Sequence, residues 1–338
     1  VMDRTRKVIF VDDKEVITLT KDSVSITDLD GRRVHKKATR IEWDISQAEK
    51  GGFAHFMLKE IYEQPRAIHK ILTTRTDAAK GKIKLDGINL RPSELKGIDN
   101  IVISACGTAY HAGLVGEYLI EKFAKIPVEV DVSSELRYRD PAYSRRTLFI
   151  AVSQSGETAD TLAALREAKK KGIKTVSICN VVGSTIVRES DGVIYTHAGP
   201  EIGVASTKAY TAQVAIFILL ALYLGAARGK IGRRQMKKML AEFEMIPEHM
   251  DSILDEAGKI KECARKYYKL PCFMYIGRGV NYPNAFEGAL KLKEISYIHA
   301  EGYGAGEMKH GPIALIEKNM AVVAITPRSL TYEKMISN

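Results

Sequence analysis

From Ile98 onward the chain alternates short apolar segments with longer helical ones, a pattern that few architectures tolerate. The apolar segments are Ile101-Val102-Ile103, Val128-Glu129-Val130, Leu148-Phe149-Ile150-Ala151-Val152, Thr175-Val176-Ser177-Ile178 and Gly192-Val193-Ile194-Tyr195. Most lack the polar alternation of a strand with one wet face, so both faces must be covered. Parallel strands need long crossovers, and the intervening stretches are long enough to be helices. The pattern predicts an α/β fold of parallel sheets flanked by helices.

A second opening of the same kind follows a long helical stretch, about 233–268. Met274-Tyr275-Ile276-Gly277-Arg278-Gly279 repeats the order of Ile103-Ser104-Ala105-Cys106-Gly107-Thr108: apolar strand, glycine turn, helix. This predicts two copies of one α/β domain, the second incomplete. A helix over 285–297 and a strand over 320–325 would continue it, with the first turns of another helix at the end. Upstream, Val8-Ile9-Phe10-Val11, Val16-Ile17-Thr18-Leu19 and Val24-Ser25-Ile26 read as strands around turns at Asp12-Asp13-Lys14 and Asp30-Gly31. They make a small antiparallel segment, too short to hold a core alone. The polar stretch 46–52 reads as a linker. A helical period begins at Phe53 and is interrupted at Pro65. The expected organisation is a β segment over 1–45, linker and helical lead-in over 46–95, a first α/β domain over 96–228, a helical connector over 229–268, and an incomplete second domain over 269–338.

Composition narrows the function classes. The longest apolar run, 214–227, is shorter than the roughly 20 residues a membrane span needs, so it reads as a buried helix. No apolar core follows Val1-Met2-Asp3-Arg4, so no signal peptide is expected. The net charge is +10, but the densest basic cluster, 228–238, has no interleaved aromatics and reads as a solvated connector rather than a nucleic-acid surface. Cys106, Cys179, Cys263 and Cys272 show no metal spacing and read as reduced thiols of a cytoplasmic protein.

The chemistry is concentrated in loops. Ser153-Gln154-Ser155-Gly156-Glu157-Thr158 directly follows the most apolar strand. In parallel sheets ligands gather at the carboxyl ends of strands, where helix N-termini present N–H groups and a positive dipole. Hydroxyls add donors without bulk and Gly156 lets the backbone curl, which suits a phosphate dianion. A lone helix cap needs only one hydroxyl. Neither the lysine-bearing nucleotide loop nor the dinucleotide turn is present. Cys106-Gly107-Thr108 and Gly203-Val204-Ala205-Ser206-Thr207-Lys208 have similar chemistry, and three such loops on one sheet edge would form a phosphosugar pocket.

Further on, Lys291 and Glu294 share a face of an otherwise apolar helix. His299, Glu301, Glu307, Lys309 and His310 follow in a glycine-rich loop. A carboxylate and an imidazole beside a sugar phosphate are what aldose–ketose chemistry requires, one opening the ring and one carrying a proton between C1 and C2. A metal site is the competing reading of His299, Glu301, Glu307 and His310, but no ligand pair at helical spacing supports it.

Together ACGTAYHAG, SQSGETADTL, EIGVASTKAYTAQ, EGALKLKEISYIHAE and GEMKHGP resemble the glucosamine-6-phosphate synthase (glutamine–fructose-6-phosphate aminotransferase) family, from about Gly52 to the last residue. The resemblance implies tandem sugar-isomerase (SIS) domains, the second truncated, preceded by the tail of a glutaminase domain over 1–45. It implies synthesis of glucosamine 6-phosphate from fructose 6-phosphate and glutamine-derived ammonia. It implies a phosphate cradle of Ser153, Gln154, Ser155 and Thr158, and a sugar lining of Thr108, Val204 and Ser206. Glu294 would shuttle the C1–C2 proton, Lys291 would stabilise the enolamine-like intermediate, and His310 would help open the ring from a neighbouring subunit of a homodimer. The expected ligands are fructose 6-phosphate, glucose 6-phosphate and glucosamine 6-phosphate. No cofactor, metal, nucleic acid or membrane is expected. The resemblance would place a serine where this chain has Ala109, removing one hydroxyl from the expected sugar pocket. The family's N-terminal cysteine and C-terminal Schiff-base lysine are expected to be missing from this chain, so weak or no isomerisation accompanies binding. Phosphosugar-sensing regulators and deglycases or deaminases on the same paired domains are the alternatives.

Overall fold

The structure is a computed structural model that describes residues 5, 7–40 and 49–338. Val1-Met2-Asp3-Arg4 and residues 46–48 of the expected linker lie outside them. The chain divides into two compact units at Gly51/Gly52.

The first unit holds β1 (Lys7–Val8), β2 (Glu15–Leu19), β3 (Val24–Asp28) and β4 (Thr39–Arg40). β2 and β3 form an antiparallel hairpin in which Ile17 faces Ile26, and β1 pairs antiparallel with β4. Ile26 is buried, but Val16, Leu19, Val24 and Leu29 are exposed. The expected small antiparallel segment is present, with little core of its own.

The second unit opens with α1 (Phe56–Tyr62) and α2 (Gln64–Arg75), divided where Pro65 takes the first turn of α2. Pro has no N–H to lose there and its fixed φ suits a helix start. A hairpin of β5 (Thr76–Asp77) and β6 (Lys82–Ile83) follows, then α3 (Pro92–Gly97). The α/β pattern proper comes next: β7 (Asn100–Ala105), α4 (Thr108–Ala124), β8 (Val128–Val132), α5 (Ser133–Arg139), β9 (Thr147–Ser153), α6 (Ala159–Lys170), β10 (Lys174–Cys179), α7 (Thr185–Glu189), β11 (Gly192–Tyr195) and α8 (Lys208–Ala227).

The five strands form one sheet in the order β11-β10-β9-β7-β8, every pair parallel. Both faces are covered, which explains the uninterrupted apolar runs. On β9, Leu148, Ile150 and Val152 join the larger core with α2, α4 and α8, while Phe149 and Ala151 join a second core with Leu136, Leu165 and Ile186 of α5, α6 and α7. α8 is long and apolar enough by composition to cross a membrane, but Ile216, Phe217, Leu219 and Leu220 are completely buried in the larger core. Ala67, Ile68, Ile71 and Leu72 of α2 lie in the same core, so the stretch expected as a lead-in is structural to the sheet.

The connector is three helices, α9 (Arg233–Glu244), α10 (Ile246–Asp255) and α11 (Ala257–Tyr267), with Pro247 starting α10. A smaller parallel sheet follows: β12 (Cys272–Gly277), α12 (Tyr282–Ser296), β13 (His299–Gly304), β14 (Met320–Ala324) and α13 (Tyr332–Ser337), in the strand order β13-β12-β14. β13 corrects the sequence reading, which placed Glu301 to Gly304 in a loop. Gly302 carries no apolar signal because α12 packs directly on it: a Cβ there would come within 2.7 Å of Phe286.

Candidate functional site

The larger sheet has a topological switch point. The chain leaves β7 for β8 on one side, then crosses back to β9 on the other. Ser104 of β7 pairs with Ala151 of β9, so the turns at 106–108 and 153–158 leave the same edge from adjacent strands. Crevices of this kind are where open parallel sheets bind ligands.

The 153–158 turn is held from within. The Ser153 hydroxyl accepts from Gly156 N–H at 3.0 Å and lies 2.9 Å from the Thr158 hydroxyl. Ser155 Oγ accepts from Glu157 N–H at 3.2 Å. Thr158 is the N-cap of α6 but makes no side-chain cap bond there. Gly156 has φ +69°, and a Cβ on it would meet Ser184 Oγ at 1.9 Å. Cys179 lies beneath the turn, its thiol donating to Gln154 O at 3.7 Å, and burial pushes that thiol's pKa up. All four cysteines are free.

A second cluster joins the two sheets. Thr108, the first residue of α4, donates to Glu287 Oε1 at 2.9 Å and accepts from Lys291 Nζ at 3.0 Å. Lys291 Nζ lies 3.4 Å from Glu287 Oε1 and 2.5 Å from Glu294 Oε2. His111 Nδ1 lies 2.7 Å from Glu287 Oε2, and its ring stacks on Phe286. The two carboxylates therefore differ. Glu287 is 6% exposed, with both oxygens engaged. The Glu294 side chain is 31% exposed and touches Lys291 at the outer side of the cluster. Both carboxylates pair with the lysine, Glu294 at the shorter distance, and Glu287 is the more buried of the two.

Thr108, Lys291 and Glu294 are thus brought together through the Lys291 ammonium. Glu287 and His111 were not singled out from the sequence, although Glu287, Lys291 and Glu294 stand at i, i+4 and i+7 of α12 and share one face. Ala109 is buried in the first turn of α4. Ser206 Oγ donates to Glu201 Oε2 at 2.8 Å, and Val204 is 95% exposed on the loop before α8. Gln154 holds the end of β10 through its carbonyl, which accepts from Asn180 N–H at 3.2 Å. His310 is exposed in the short turn Glu307–His310 and, among the described residues, makes no side-chain hydrogen bond or ion pair. His299 pairs with Glu301 at 3.4 Å on β13, and among the described residues no three metal-ligating side chains converge.

Removing Glu287 should be costly. Glu287→Leu leaves Lys291 with one carboxylate and strips Thr108 and His111 of their acceptors. The expected loss is about 3 kcal/mol of stability, read as a lower urea midpoint.

The family model for the SIS domain matches residues 94–223 and 271–335. The glutamine–fructose-6-phosphate aminotransferase (isomerizing) of Clostridium acetobutylicum is 50% identical over all 338 residues, and that of Chlorobaculum tepidum 51%. The chain spans 55% of the length of each. Among solved structures, the C-terminal domain of glucosamine-fructose-6-phosphate aminotransferase from Francisella tularensis superposes with a TM-score of 0.82 at 43% identity, covering 86% of this chain and 80% of that one.

Proposed function

The chain belongs to the SIS-domain family, and we propose that it holds the sugar-phosphate site of an enzyme that makes glucosamine 6-phosphate from fructose 6-phosphate and glutamine-derived ammonia. The observation that carries this reading is the switch point, where the Ser153–Thr158 turn and the Thr108 turn leave neighbouring strands, with Lys291 of α12 bonded to Thr108 and Glu294 to Lys291. Its relatives at half identity carry that enzyme's name.

In this reading Ser153, Gln154, Ser155 and Thr158 hold the phosphoryl oxygens at the N-terminus of α6, whose dipole favours an anion. Thr108, Val204 and Ser206 line the sugar. Glu294 takes a proton at C2 and returns it at C1, or the reverse. The Lys291 ammonium stabilises the negative charge that develops while the proton is in transit. His310 assists ring opening at the site of a second subunit, which makes the enzyme a homodimer. Glucose 6-phosphate and glucosamine 6-phosphate share the cradle, and the location that goes with this reading is the cytoplasm. The small antiparallel unit is the end of the glutaminase domain, and 96–228 and 269–338 are the two SIS domains.

The test is direct. Ser155→Ala with Thr158→Val should weaken fructose 6-phosphate binding about 100-fold or more by calorimetry, since each lost hydrogen bond to a charged group costs about 1.5–3 kcal/mol. Undiminished affinity in the double variant would exclude this cradle.

A further inference from the structure

The loop before α8 is pinned at both ends by buried or half-buried carboxylates, and one of them comes from a distant helix. Glu60 of α1 is 2% exposed. Its Oε1 accepts from Ile202 N–H at 2.6 Å and from Gly203 N–H at 3.0 Å, with Oε2 3.2 Å from the latter. At the other end, Glu201 Oε1 accepts from Thr207 N–H at 2.8 Å and Ala209 N–H at 3.1 Å. At the C-cap of α1, Glu63 Oε2 accepts from Lys208 Nζ at 2.6 Å, and the Lys208 side chain is only 3% exposed. Gly203 is a glycine because α1 leaves no room: a Cβ there would come within 2.6 Å of Glu60 Oε2 and 3.3 Å of Met57 N.

We propose that Glu60 is a positioning residue that sets the conformation of the loop 202–206 and thereby selects the sugar part, not the phosphate part, of the ligand. The inference rests on the sugar-phosphate reading above. Two features of the loop carry it. First, the pinned ends hold Val204 outward at 95% exposure while Ala205 beside it is buried. The two carboxylates thus fix a loop that presents a bare apolar side chain to solvent, which the packing of Ala205 alone does not require. Second, the N–H groups of 202, 203, 207 and 209 are already taken by carboxylates of the chain itself. A phosphate at either end of the loop would have to displace those anions, so the pinned ends disfavour an anion and suit neutral hydroxyls. The Ser153–Thr158 turn, at the N-terminus of α6, keeps the anion.

Burial of a carboxylate without partners is expensive, so Glu60 and its two amides stand or fall together. Glu60→Ala frees both amides and the loop end. Glu60→Gln keeps an oxygen where Oε1 sits and is the conservative control.

The experiment uses the present chain. Amide exchange is measured without ligand, and affinity is measured for fructose 6-phosphate and for inorganic phosphate. Glu60→Ala should speed exchange at Ile202 and Gly203 about tenfold or more, weaken fructose 6-phosphate about tenfold, and leave inorganic phosphate within about twofold, with Glu60→Gln recovering most of the loss. Unchanged exchange at Ile202 and Gly203 overturns the proposal. So does an equal loss for both ligands, which would mark Glu60 as merely structural. If the unaltered chain binds fructose 6-phosphate no better than phosphate, the sugar-phosphate reading fails and takes the selection of sugar with it. The exchange arm then still decides whether Glu60 holds the loop.

Discussion

Replacing Glu294 with glutamine in the full-length enzyme should lower kcat by about 10²- to 10⁴-fold while leaving KM within about threefold. The asymmetry follows from the cluster on α12. Glu287 has both oxygens engaged, by Thr108 and by His111, and lies almost wholly inside. Glu294 is more open and shares only the Lys291 ammonium. An amide at 294 occupies the same volume and still offers an oxygen to Lys291, so the ligand binds as before. It cannot take up a proton, so on the proposed reading the transfer between C1 and C2 should stop. Single-turnover exchange of the C2 proton with solvent, followed by NMR, separates the chemical step from binding. A variant with a much higher KM and an unchanged exchange rate would move the base elsewhere.

Gly156→Ala should abolish measurable fructose 6-phosphate binding and cost roughly 2–4 kcal/mol of stability, a larger penalty than loss of any one hydroxyl in the same turn. The backbone at 156 has φ +69°, where an L side chain is strained. The added Cβ would also sit 1.9 Å from Ser184 Oγ and 2.8 Å from Cys179 Sγ. Ser184 is buried at the N-cap of α7, and Cys179 ends β10, so neither has open space to retreat into. Relief has to come from the turn itself. That breaks the Ser153–Gly156 bond and moves Thr158 off the head of α6. Urea denaturation reads the stability and calorimetry reads the binding. Full affinity in a stable Gly156→Ala protein would mean that the turn does not grip the ligand.

Most of the fold was legible beforehand. The runs at 101–103 and 148–152 are apolar throughout because side chains of both parities enter cores, as Phe149 and Ile150 do on opposite faces of the sheet. β13 was hidden because Gly302 and Gly304 contribute no hydrophobic signal of their own. α2 looked like a lead-in because its role depends on meeting α8, far along the chain.

The site divides the same way. The hydroxyl turn and the Lys291–Glu294 pair could be read from adjacent residues, since one turn or one helical face brings them together. Glu287 with His111, and Glu60 with Gly203, could not. Those partners are 176 and 143 residues apart. Sequence alone determined what local backbone periodicity controls: which segments are strands and helices, that the sheets are parallel, and which turn offers hydroxyls beside a helix N-terminus. Tertiary structure alone decided which carboxylate has both oxygens engaged and which shares only the lysine. That distinction depends on which buried donors the docking of distant elements brings within hydrogen-bond reach of each oxygen.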